Sequence, residues 1–370
     1  VSKQLICRLM LSLLIVSLLS GCLETRIVDE VAMIRAAAFD IEDDTRIKLT
    51  ANFPTFPEEG EGNVLKDGTI TASGETTKGT KVILNSRTQK PIVFGQLRVL
   101  LFSEELAKQG IELYVDAMYR DPSVGNRIYL AITEGDDAAK FLEAEKQGGE
   151  LSGVYLPELI EQNMETSFLV PVNMHQFLFS LYNDGRDPYL PVLRMNDNND
   201  YAWGTALFSG EVLHSMLDHD DSFMLKMMMQ TTRQATKQFE LVNGEQTNYV
   251  VIENISSDVT RTIDKTGETP TFIVTIEING AIEDYDGEEN LDDQNTIKEI
   301  EKSIEKQIQT QTQELLLKFQ QDGIDPVGVG EKYRSTTRDW NAQTWQNEIY
   351  PKVEMVVHTN LKLIQSGAVE

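Results

Sequence analysis

The chain has 370 residues and sets 59 acidic side chains against 33 basic ones, for a formal net charge of -26. A surface of that sign is repelled by nucleic acid and by anionic lipid headgroups, which argues against direct binding to either. The length exceeds what one hydrophobic core usually serves, so two or three domains are expected.

The first stretch that decides anything is Leu18-Leu19-Ser20-Gly21-Cys22. Lys3 and Arg8 precede an apolar run of 11 residues, Leu9 to Leu19, well short of the roughly 20 that span a bilayer as a helix. Residues 1–21 therefore read as an export signal, with Ser20 and Gly21 giving a peptidase access to the backbone. The thiol of Cys22 can form a thioether with a diacylglyceryl group, and its freed amine can take an N-acyl chain. Cys22 is thus the expected lipidation site. Each buried methylene contributes about 0.8 kcal/mol, so two acyl chains hold what the surface charge would push away. Removing residues 1–21 takes away Lys3 and Arg8 but no acid, moving the charge from -26 to -28. Cys7 leaves with the signal and Cys22 is consumed, so stability is expected from packed cores and not from a disulfide.

Val28 to Phe39 reads as a buried strand returning through Asp40–Asp44 as Arg46 to Phe53. After a loop with Pro54, Pro57, Gly60 and Gly62, a strand is expected at Thr69–Ala72, then a helix over Glu75–Gln89 capped by Ser73. Pro91 to Phe102 reads as one central strand, and Ser103-Glu104-Glu105-Leu106 opens a helix that Gly110 ends. Further helices are predicted at Glu112–Arg120, Asp136–Gln147, Leu151–Gln162 and Pro171–Tyr182, with a strand at Arg127–Thr133. Asn183-Asp184-Gly185 closes the last of these helices, and the polar run Met195–Asp200 is the natural domain boundary.

Beyond it, Tyr201–Phe208 reads as a strand and Asp221–Gln230 as a buried Met-rich segment. Lys237–Val242, Asn248–Asn254 and Thr271–Asn279 alternate as antiparallel strands, with Asn243-Gly244 and Asn279-Gly280 as turn signals. Ile297, Ile300, Ile304, Ile308, Leu315 and Phe319 form one apolar stripe on a long helix, Leu291–Gln321, ended by Gly323 and Pro326. Lys352–Ile364 is the final strand, with Val353, Met355 and Val357 on one face. The fold class expected is α+β, multi-domain, with mixed sheets and packed helices. Its C-terminal part is an antiparallel-rich sheet covered by the long helix. The domains are 22–195, with room for two subdomains split near 150, and 201–370.

No constellation points to catalysis. Gly74–Lys81 departs from a phosphate loop because Thr80 and Lys81 stand in the wrong order, so it reads as a helix start. His214 and His219 are five apart, where ligands on one helical face sit three or four apart. Asp284, Asp286, Glu288, Glu289, Asp292 and Asp293 miss the calcium-loop spacing and read as a solvated turn before the long helix. No catalytic residue, metal ligand or cofactor is expected.

Several short motifs in order carry a resemblance. Gly21-Cys22 is followed by Val93-Phe94-Gly95-Gln96-Leu97, Ser103–Gly110 and Tyr119-Arg120-Asp121-Pro122. Near the end come Arg338-Asp339-Trp340, Trp345 and Ile349-Tyr350-Pro351-Lys352-Val353. Over nearly its full length the chain resembles the Ger(x)C spore germination lipoproteins, the C subunits of nutrient germinant receptors. It departs from them at Leu23-Glu24, where Trp-Asp is common, at Gln96, often His, and in a thinner Gly-rich stretch around Trp203-Gly204. The resemblance implies a mixed α/β lipoprotein on the outer face of the spore's inner membrane. It also implies integral-membrane A and B subunits as partners and no enzymatic activity. The alternatives are a solute-binding lipoprotein of a transport system and, after it, an envelope hydrolase.

Overall fold

The computed structural model describes residues 30–55, 65–135, 137–166, 168–196, 199–243 and 246–365. The lipobox with Cys22 and the loop with Pro57, Gly60 and Gly62 lie outside them. The fold is mixed α+β, as expected, and is built on one eight-stranded sheet, one four-stranded sheet and a two-stranded fragment.

The predicted first strand divides into β1 (Ala32–Met33) and β2 (Ala36–Ile41), and β2 pairs antiparallel with β3 (Ile47–Thr55) as the hairpin reading requires. Strand β4 (Lys66–Gly74) is longer than predicted and takes in Ser73, which therefore cannot cap a helix. Thr76 caps α1 (Thr77–Ser86) instead, its side chain accepting the Gly79 N–H at 3.1 Å. The predicted strand Pro91–Phe102 is two. A turn closed by Leu97 N–H to Phe94 O at 3.0 Å separates β5 (Ile92–Val93), which pairs with β1, from the central β6 (Val99–Ser103).

Ser103 caps the short α2 (Glu104–Ala107), and α3 (Glu112–Tyr119) follows. After β7 (Tyr129–Thr133), the helix predicted for Asp136–Gln147 shrinks to α4 (Lys140–Glu143). Helices α5 (Ser152–Thr166) and α6 (Met174–Leu181) come next, the second opened by a reciprocal Asn173/Gln176 capping box.

Strand β8 (Tyr189–Asn196) has no counterpart in the sequence reading, because its first five residues are buried on both faces and show no alternation. It pairs antiparallel with β9 (Asn199–Ser209), which pairs with β10 (Val212–Leu217). The large sheet runs β10-β9-β8-β7-β6-β2-β3-β4, with β2, β6, β7 and β8 mutually parallel at its centre. The boundary placed at Met195–Asp200 thus falls at the tip of the β8–β9 hairpin, and the sheet continues through it to Leu217.

The Met-rich segment is α7 (His219–Met229), with Met224, Met227 and Met228 fully buried. The second sheet, β11 (Thr232–Asn243), β12 (Gln246–Asp264), β13 (Thr271–Tyr285) and β14 (Glu354–Gln365), is antiparallel except for the β13–β14 pair. Asn279-Gly280 is not a turn: β13 runs through it. Opposite it the register shifts between Glu253 and Ser256, and Asn254 takes a left-handed φ of 51°, so the strand pair bulges where a turn was expected.

Helix α8 (Gln294–Asp322) buries Ile300, Ile304, Ile308, Leu315 and Phe319, as the stripe predicts. Its polar flank does a second job. Glu301 and Glu305 accept the backbone N–H groups of Leu363 and Leu361 at 2.8 and 3.1 Å, while Gln309 and Gln313 donate to the carbonyls of Val357 and Met355. Four residues at i, i+4 spacing thus occupy the free edge of β14 that would otherwise invite another strand. Gly323, at φ 71°, ends the helix.

Candidate functional site at the junction of the two sheets

Past Gly323 the chain makes a tight loop, Ile324 to Gly328, into α9 (Val329–Ser335). Asp325 organises it. One carboxylate oxygen accepts the N–H groups of Gly328 and Val329 at 2.8 and 2.9 Å, and the other accepts that of Gly330 at 2.7 Å. The side chain is 3 % exposed, and burial pushes its pKa up to about 7 against three donors that favour the anion.

The loop is met by Asn183–Asp187, the connection from α6 to β8. The backbone N–H of Asp187 donates to Asp325 O at 2.9 Å, and the Asp187 carboxylate accepts the Asp325 N–H at 2.7 Å. Burial raises the Asp187 carboxyl as well. Arg334 donates to the Asn183 side chain at 2.7 Å, Arg186 pairs with Glu331 at 3.3 Å, and Arg261 of β12 donates to Val327 O at 2.8 Å. Two glycines let the backbones touch. A Cβ on Gly185 would sit 2.7 Å from the Gly330 carbonyl carbon, and one on Gly330 would sit 2.6 Å from the Trp345 ring nitrogen.

Trp345 and Tyr350 back the loop, at 2 % and 1 % exposure. The Trp345 ring lies 4.8 Å from Tyr333, 5.7 Å from Trp340 and 5.6 Å from Tyr350, and the Tyr350 hydroxyl donates to Ile324 O at 2.7 Å. A second buried contact joins the halves where the Lys226 ammonium of α7 donates to Met164 O of α5 at 2.7 Å. At this junction the carboxylates are spent on backbone donors and hold one segment against another.

The other singled-out residues are dispersed. Lys81 pairs with Asp121 at 2.7 Å, and Thr80 donates to Thr76 O inside α1. His214 faces Asp322 at 3.6 Å, while the His219 ring lies tilted against Phe168 at 4.1 Å. Asp293 caps α8, Glu289 accepts the Tyr285 hydroxyl at 2.5 Å and Asp286 accepts the Tyr249 N–H at 2.6 Å. Among the described residues no three His, Cys, Asp or Glu side chains gather as a metal site. Sequence reasoning missed Asp187 and Asp325. The available signal was Asp325 within Gly-Ile-Asp-Pro-Val-Gly-Val-Gly, where three glycines leave the backbone amides open to a carboxylate.

Residues 24–195 match the family described as spore germination protein N-terminal domain, and residues 203–367 match spore germination B3/GerAC like, C-terminal. The chain is 31% identical over 365 residues to spore germination protein GerQC of Bacillus cereus, covering 98% of this chain and 99% of that one. It belongs to the GerAC-like spore germination proteins. A second relative, the putative spore germination protein YfkR of Bacillus subtilis, is 22% identical across 99% of this chain and 98% of its own. The crystal structure of the GerBC protein shares the fold with a TM-score of 0.56 at 17% identity, covering 89% of this chain and 96% of that one. The matched GerAC regions meet at the β8–β9 hairpin, and the junction binds residues of the first to residues of the second.

Proposed function

We propose that this spore germination protein is the lipid-anchored, non-enzymatic C subunit of a nutrient germinant receptor. In this reading it works beside integral-membrane A and B subunits on the outer face of the spore's inner membrane. The observation that carries the reading is full-length identity of 31% to a germination protein, together with the Leu18–Cys22 sequence. Among the described residues no helix is long and apolar enough to cross a membrane, and the reading gives attachment to the acyl chains on Cys22. A junction built from satisfied carboxylates and packed aromatics suits a subunit that passes on a change of shape, not one that turns over a substrate.

Spores carrying Cys22→Ala test it. The expected result is protein recovered in the soluble fraction and dipicolinic acid release lost for at least one nutrient class. A normal response to every nutrient, with the protein freed from membranes, overturns the proposal.

A further inference from the structure

Two clefts of similar size flank helix α1, and their electrostatics differ. One, of about 510 Å³, is lined by Lys81 and Asp121, whose charges meet at 2.7 Å and cancel. The other, of about 540 Å³, lies between the β1–β5 fragment and the outer strands β3 and β4. Arg35, Arg87 and Lys90 line it, and among the described residues no Asp or Glu does. In a chain with 59 acids against 33 bases, three cations around one cleft run against the composition. Among the described residues none of the three is held in an ion pair.

The cations are differently held. Arg87 donates one guanidinium nitrogen to Thr71 O at 2.7 Å, which fixes the group and leaves its other donors for a ligand. The stem of Arg35 is pinned where Gly153 of α5 packs against its Cβ. Lys90 is exposed at the rim. Below them the cleft is apolar, with Met33, Phe53 and Ile70 on its walls. A free inorganic anion would use the cations and leave that floor wetted. An acidic headgroup on an apolar body uses both.

We infer that this cleft binds an anionic phospholipid, its phosphate held by Arg35, Arg87 and Lys90 and the first part of its acyl chains laid on Met33, Phe53 and Ile70. The reach is suitable. Ala32, on the wall, is ten residues from Cys22, and ten residues span at most about 35 Å. The bilayer as the lipid's source rests on the anchored reading above; the chemistry of the cleft does not. A cationic face on an otherwise acidic protein would turn one side toward the membrane and leave the rest repelled from it.

The probe is dihexanoyl-phosphatidylglycerol, used as soluble monomers with the full chain, against dihexanoyl-phosphatidylcholine and inorganic phosphate. Binding is read by calorimetry and by the rise in melting temperature. The expected result is binding to the anionic lipid about tenfold tighter than to either control, weakened by salt, and reduced about tenfold by Arg87→Glu or Lys90→Glu. Lys90→Glu is the safer variant for folding, since that side chain is exposed and, among the described residues, makes no hydrogen bond or ion pair. Equal binding of the two lipids overturns the inference, as does phosphate binding as tightly as the anionic lipid, or variants that bind like the wild type. Because the probe is monomeric, failure here leaves the Cys22 anchor standing, and failure of the Cys22→Ala test leaves this cleft untouched.

Discussion

The two sheets are buried in different ways. In the eight-stranded sheet the central strands are enclosed on both faces: Ala36 to Asp40 in β2, Val99 to Ser103 in β6 and Tyr189 to Leu193 in β8 are buried without a break. In the four-stranded sheet burial alternates. Phe272, Val274, Ile276 and Ile278 of β13 and Met355, Val357, Leu361 and Leu363 of β14 are buried on the side that α7 and α8 cover, while Glu277, Asn279, His358, Asn360 and Lys362 face water. The first sheet is an interior; the second is a surface backed by α7 and α8. The difference separates a part whose shape is fixed on every side from a part free to present one face.

The contrast can be broken most forcefully at Phe102, fully buried in β6 with its ring stacked 5.5 Å from Phe39. Phe102→Ala should cost about 3–5 kcal/mol, read as a lower urea midpoint. A loss under about 1 kcal/mol would mean that this sheet is not packed on both faces.

Asp325→Asn comes next and acts between the sheets. An amide leaves one of three buried N–H donors facing another donor, for a loss of about 1–3 kcal/mol. It should also change the pH profile. A carboxyl raised from 3.8 to about 7 takes up a proton on folding that the unfolded chain does not hold. Its contribution is therefore fully present below about pH 4, falls as pH rises toward about 7, and is flat beyond. The slope is at most about 1.4 kcal/mol per pH unit, and the Asn variant should lack it. Asp40, pushed up by burial to about 6 in the first sheet, gives a slope of the same sign that ends lower. Asp187, also raised by burial, adds a slope of that sign, so the variant should keep a slope that is shallower than the wild type's as pH rises toward about 7, and an unchanged slope there would remove Asp325 as its source.

The smallest effect belongs to the open face of the second sheet. Thr260, exposed on β12 opposite Thr275, should tolerate Ala within about 0.5 kcal/mol by thermal melting. A larger cost would show that something covers this face.

Legibility in the sequence follows the same contrast. Strands with one wet face announce themselves by period two, so β11 to β13 and β14 are read from sequence, as is α8 from its isoleucine stripe. Strand β8 is invisible because a strand buried on both sides has no period, and the run Pro91–Phe102 misleads because its apolar residues continue through the turn at Gly95-Gln96. The polar flank of α8 reads as solvent-facing, yet Glu301, Glu305, Gln309 and Gln313 are spent on the edge of β14, a choice that composition cannot reveal. The junction is hidden for a related reason. Asp187 and Asp325 are 138 residues apart, and each looks like an ordinary loop acid until the fold brings them together.

The β8–β9 hairpin has a consequence for how such a chain can change. A polypeptide ended at Met195 would leave β8 as a raw edge with its backbone amides and carbonyls unanswered, and the remainder would begin with two strands that have no sheet to join. Neither piece would be a self-sufficient module. Recombination at the point where the two matched regions meet is therefore penalised, and the two halves are expected to be inherited, exchanged and lost together.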